Sequence, residues 1–215
     1  MKKVTIAVWA VMLLAATATR VKAQTLNSSL TEAVENLQSA ANMGGWMAAN
    51  NKFDLIAVKW GDQWAANYYA AFSNAFISLK ETDAKRKDQL LDAADKYVSR
   101  MNGINAGNDE SMVLTAYVAY ARFLVDPPNR WKKYLDAMNT NLENAKKANP
   151  NNPRIYYLQG IPIFERPRVY GGGKDKAKPY FEKAKELFAK QGSTDITKPS
   201  WGEKENASYL SKCGE

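Results

Sequence analysis

Met138-Asn139-Thr140-Asn141-Leu142-Glu143-Asn144-Ala145-Lys146-Lys147-Ala148-Asn149-Pro150 carries apolar side chains at Met138, Leu142 and Ala145, steps of four and three, then a proline five residues further on. Ala177-Lys178-Pro179-Tyr180-Phe181-Glu182-Lys183-Ala184 repeats those steps at Ala177, Phe181 and Ala184. Steps of three and four place these side chains on one face of an α-helix. The remaining faces are polar and charged, so each stretch reads as a helix buried along a narrow stripe. One helix pair cannot bury its faces alone, and its exposed side is covered by the next pair. The two stretches therefore predict an all-α fold of antiparallel helical hairpins stacked as a superhelix.

The same reading extends outward. Ala33, Leu37 and Ala40 show the four-three step again, in a helix capped by Ser28, Ser29 or Thr31 and ended by Gly44-Gly45. Met47 to Lys59 is open between a short helix around Phe53 to Val58 and a strand. Asp62 to Leu79, with Trp64, Tyr68, Tyr69, Phe72 and Phe76, is apolar on most sides and predicts a helix buried between others. An amphipathic helix follows from Thr82 or Asp83 to Met101. Asp109 is expected to cap a helix from Glu110 to Val125, and Asp126-Pro127-Pro128-Asn129 breaks it. Further helices are expected at Arg130 to Ala148, at Arg154 to Phe164 (kinked or cut short by Pro162) and at Lys174 to Lys190. An extended tail to Trp201 and a short closing helix complete the chain.

Composition narrows the function. Lys2 and Lys3 precede an apolar run from Val4 to Ala18, and Val21-Lys22-Ala23 precedes Gln24 as a cleavage site. Residues 1–23 thus read as an export signal, and 24–215 as one helical-repeat domain in the periplasm or outside the cell. The run falls short of the ~20 residues of a stable membrane span. The leader holds Lys2, Lys3, Arg20 and Lys22, half of the formal +8 charge, so nucleic acid is not an expected partner. There is no histidine, which removes His-based triads, a Cys-His dyad and the commonest zinc ligand. No catalysis, cofactor or metal site is expected. The single cysteine, Cys213, cannot form an intramolecular disulfide.

Residues 130–190 resemble tetratricopeptide repeats. Tyr156 and Gly160 fit the aromatic and small positions of a first helix, Ala177, Phe181 and Ala184 those of a second, and Pro150 closes a repeat. The leader, the segment from Tyr170 to Ala177 and the tail Pro199-Ser200-Trp201-Gly202 resemble small exported repeat proteins of Gram-negative bacteria. The glycine-lysine segment is also similar to one in the periplasmic T component associated with TRAP transporters. These resemblances imply a concave wall of first helices and, through the T component, a small ligand.

Projecting the repeat pattern puts Trp60, Gln63, Asn67, Glu110, Tyr117, Tyr120, Arg154, Tyr157, Phe164 and Glu165 on that concave wall. Aromatic anchors beside Arg and Asn suit a binding groove. The expected function is a scaffold for a protein or peptide partner. The alternative is a periplasmic small-ligand or transport accessory protein, with a pocket between helices near Arg154 to Tyr170. A deep pocket lined by Tyr and Arg favours the alternative; an open shallow groove favours the scaffold. Arg166, Arg168 and Lys174 form a possible anion site, since arginine grips carboxylate or phosphate in a fixed fork. Gly171-Gly172-Gly173-Lys174 lacks the spacing and the following Ser or Thr of a phosphate loop.

Overall fold

A computed structural model describes residues 25–192 and 195–214; the expected leader lies outside them. The helices are α1 (25–39), α2 (Met43–Lys59), α3 (Trp64–Ser78), α4 (Ala84–Ile104), α5 (Asp109–Phe123), α6 (Pro127–Ala148), α7 (Pro153–Glu165), α8 (Lys174–Phe188) and α9 (Glu203–Lys212). One 3-10 turn, Arg168–Tyr170, lies before α8. No strand occurs among the described residues.

The fold is all-α, built of stacked antiparallel hairpins. The most extensive pairings are α3 with α4, α5 with α6 and α7 with α8. Successive hairpins meet where α5 packs on α3 and α4 and where α7 packs on α5 and α6; α3, α5 and α7 form an inner row, and α9 packs on α8. The stripes that open the sequence reading are what hold the outer row in place. Met138, Leu142 and Ala145 are the buried residues of α6, and Ala177, Phe181 and Ala184 lie fully buried in α8. The inner helices are buried on nearly all sides: in α3 only Trp64 and Phe76 keep appreciable exposure. A helix buried all round needs small residues where a neighbour's side chain presses on its backbone. At Gly160 of α7 an added Cβ would stand 2.6 Å from the Phe181 ring.

Several boundaries differ from the sequence reading. Ser28, Ser29 and Thr31 lie inside α1 and donate back to the Thr25 and Asn27 carbonyls. Gly44-Gly45 does not end α1. The chain turns at 40–42, and both glycines enter the first turn of α2, where Asn42 accepts from the Gly45 N–H. Asn is the stronger signal there, because its side chain satisfies a free N–H at a helix start. The ambiguous segment is helical throughout α2. Asn108, not Asp109, caps α5, leaving Asp109 and Glu110 in the first turn. Pro127 and Pro128 occupy the first positions of α6, where a missing N–H costs nothing. Pro162 does not end α7, which runs on to Glu165. Burial of the turn before it, at Leu158, Gly160 and Ile161, outweighs the one lost hydrogen bond.

The largest departure is the C-terminal arm. Its segment 195–202 lies along the inner row. Tyr69 Oη donates to the Lys198 carbonyl at 3.1 Å, Trp201 Nε1 donates to Tyr68 Oη at 2.8 Å, and Arg154 Nη2 donates to the Pro199 carbonyl. Gly202 then turns the chain at φ +100°, a left-handed conformation that side-chain-bearing residues rarely adopt. Asn206 of α9 donates to the Phe181 carbonyl at 2.9 Å. The hollow side of the stack is thus partly filled by the chain itself.

Candidate ligand-binding cavity

What the arm leaves open is a cavity of about 730 Å³. Side chains three or four apart on each inner helix supply its walls: Phe72 and Phe76 from α3, Tyr117 and Tyr120 from α5, Tyr157, Ile161 and Glu165 from α7. The arm supplies the facing side, with Trp201, Glu205, Tyr209 and Lys212. Trp201 is the centre of the aromatic wall. Its ring stacks on Phe72 at 5.1 Å, tilts against Tyr117 at 5.2 Å and meets Tyr157 edge-on at 6.4 Å. Lys80 and Arg166 join Glu165 and Lys212 as charged residues of the lining.

The tyrosines are held neutral. Burial pushes the phenols of Tyr117, Tyr120 and Tyr157 well above their ordinary value, and Glu205 or neighbouring tyrosines push the same way. Burial, with Glu165 beside it, raises Tyr209 to about 12. The walls therefore offer π faces, edges and neutral hydroxyls. A volume within the ~300–1,000 Å³ of small-molecule pockets suits a largely apolar ligand of that size.

Beneath Trp201 lies a polar cleft centred on Arg154, whose side chain is 1% exposed. Arg154 Nη1 donates to Glu110 Oε1 at 2.8 Å, and its guanidinium sits 5.4 Å from the Trp201 ring and 5.7 Å from Phe188. Glu110 also accepts from Asn152 Nδ2 at 2.9 Å. Burial raises the Glu110 carboxyl above its ordinary value, and Arg154 opposes that rise. Arg154 ties α5, α7 and the arm together.

Of the residues projected onto the concave wall, Tyr117, Tyr120, Tyr157 and Glu165 meet in the cavity, joined by Arg166 from the expected anion set. Glu110 and Arg154 pair in the cleft behind it. Trp60, Gln63 and Asn67 instead build the α2–α3 turn. Trp60 closes α2 and is 4% exposed, Gln63 precedes α3, and Asn67 is fully buried and donates to the Gly61 and Gln63 carbonyls. The turn has carbonyls to satisfy, which draws Asn67 inward. Phe164 packs on Tyr209 and Phe181 behind the wall. Arg168 is exposed and pairs with Asp175 at 3.3 Å, and exposed Lys174 starts α8; neither lines the cavity. Phe72, Phe76, Lys80, Trp201, Tyr209 and Lys212 were not projected there. The Phe72–Phe76 spacing was a usable signal, whereas nothing local marks Trp201 or Tyr209.

The stacked hairpins and the chain's own arm thus surround an aromatic cavity. No protein-family model matches the chain, and no curated protein does. Among solved structures it is similar to the HusA haemophore from Porphyromonas gingivalis, at 30% identity and a TM-score of 0.74, over 89% of this chain and 92% of that one. The chain belongs to one family with that haemophore. No helix among the described residues is long and apolar enough to cross a membrane.

Proposed function

We propose that the protein is an exported, non-catalytic carrier that encloses a flat, largely apolar ring, haem or a related porphyrin, in the cavity between α3, α5, α7 and α9. The observation that carries this reading is the aromatic enclosure around Trp201 in a chain of one family with a haemophore. The expected leader supports a place in the periplasm or outside the cell. The tetratricopeptide likeness is compatible with this reading, since the cavity lies on the inner row of first helices. A protein or peptide partner has less room, because segment 195–202 already lies along that row.

The donor set fits a ring held by its faces. The chain has no histidine, no cysteine or methionine among the described residues lines the cavity, and its tyrosines are held neutral. Haem would be cargo, laid against the wall that Phe72, Tyr117 and Trp201 form together, rather than fixed through its iron. Titration of the mature protein with haemin, followed by absorbance, should give a saturable one-to-one spectral shift. Metal-free protoporphyrin should bind within a few-fold of haemin. Tyr117→Ala should weaken both about ten-fold, because it removes ring contacts of about 0.5–1.5 kcal/mol each. Absence of saturable binding by either ring would contradict the reading.

A further inference from the structure

We infer that Lys80, Arg166 and Lys212 make the cavity selective for a ring that carries free carboxylates along one edge. The inference rests on the carrier reading and specifies its ligand. The three cations come from three elements: Lys80 follows the end of α3, Arg166 follows α7 and Lys212 ends α9. All three line the cavity yet are exposed. Among the described residues none has a carboxylate within ion-pair distance, whereas Arg122, Arg130, Arg154 and Arg168 all do.

Their charges sit where the apolar wall meets water. Lys80 Nζ lies 5.4 Å from the Phe76 ring, and Lys212 Nζ lies 5.4 Å from the Tyr209 ring. Two carboxylates also reach this border. Glu165 accepts from Tyr209 Oη at 3.3 Å, and exposed Glu205 lines the cavity. The balance of lining charges is positive. Drawing a carboxylate into an apolar cavity is costly, so a ring with acidic substituents on one edge must leave that edge at the border. Unpaired cations there turn this constraint into a fixed orientation.

Cations at helix C-termini also offset the helix dipole, which is a purely structural role. That role predicts no preference between acid and ester forms of one ring. The test is titration with metal-free protoporphyrin and its dimethyl ester, for the wild type and a triple variant, Lys80→Gln with Arg166→Gln and Lys212→Gln. The wild type should bind the free acid about ten-fold tighter than the ester, with added salt shrinking the gap. The triple variant should lose that gap, with acid binding weakened far more than ester binding. Equal affinities in the wild type, or a gap that survives the triple substitution, would overturn the inference. If neither form binds the wild type, the carrier reading falls and this inference with it.

Discussion

Arg154→Met should lower the stability of the protein by about 3–5 kcal/mol, the cost of leaving one partner of a buried ion pair alone. For a domain of this size each kcal/mol moves the melting temperature by roughly 2–4 °C, so the midpoint should fall by about 10 °C. The guanidinium is 1% exposed and joins Glu110 on α5 to the Pro199 carbonyl on the arm. Its removal strands Glu110 among Asp109, Asn152 and the Tyr68 hydroxyl, with no cation in contact. The pH dependence has a definite sign. Burial already raises the Glu110 carboxyl, and loss of Arg154 removes the main opposing influence. A group raised in the folded state favours folding when protonated, and that support is lost as pH rises through its raised value. The variant should therefore be weaker at about pH 8 than at about pH 5, and a second change, Glu110→Gln, should restore part of the loss. Thermal melts across pH check this. An unchanged midpoint at about pH 8, or a loss indifferent to Glu110, would contradict the role given to Arg154. Porphyrin affinity should fall as well, because the arm carries Trp201 into the wall.

Gly160→Leu should be nearly as damaging. A Cβ at that position would stand 2.6 Å from Phe181 Cε1 and 2.9 Å from Cζ, and leucine adds three further carbons. The Phe181 ring cannot step aside, because it stacks on Tyr209 at 5.1 Å and lies fully buried. Overpacking of this kind costs about 1–3 kcal/mol and more where the core cannot shift. The α7–α8 hairpin should separate. Circular dichroism melts should show a midpoint lowered by about 6 °C or more, and Gly160→Ala should show a smaller drop. A leucine variant as stable as the parent would mean that α7 and α8 do not meet at Gly160.

The hairpin stack was legible because its signals are local. Met138, Leu142 and Ala145 announce one buried stripe, and the aromatic crowding from Trp64 to Phe76 announces a helix buried on most sides. Gly160 could be matched to a close helix contact from the repeat pattern alone. Boundaries slipped where two local signals competed, as where Asn42 outranked Gly44-Gly45. A smaller part of the cavity was legible for the same reason: Tyr117, Tyr120, Tyr157 and Glu165 follow from helix registers, whereas Phe72 and Phe76 read only as core. The facing side comes from the arm. Trp201 reaches Phe72 and Tyr68 across more than a hundred residues of chain, held by hydrogen bonds to Lys198 and Pro199 carbonyls that any residue type offers. Backbone acceptors leave no trace in a residue pattern, so a hollow predicted to await a guest turned out to hold the chain's own end.

The most direct measurement is a crystal structure of the mature protein grown with haemin. One ring per chain is expected, between the inner row and the arm, with a face against Trp201 and its carboxylate edge toward Lys80, Arg166 and Lys212. A ring bound elsewhere on the protein, or a cavity filled only by solvent at saturating haemin, would contradict that expectation.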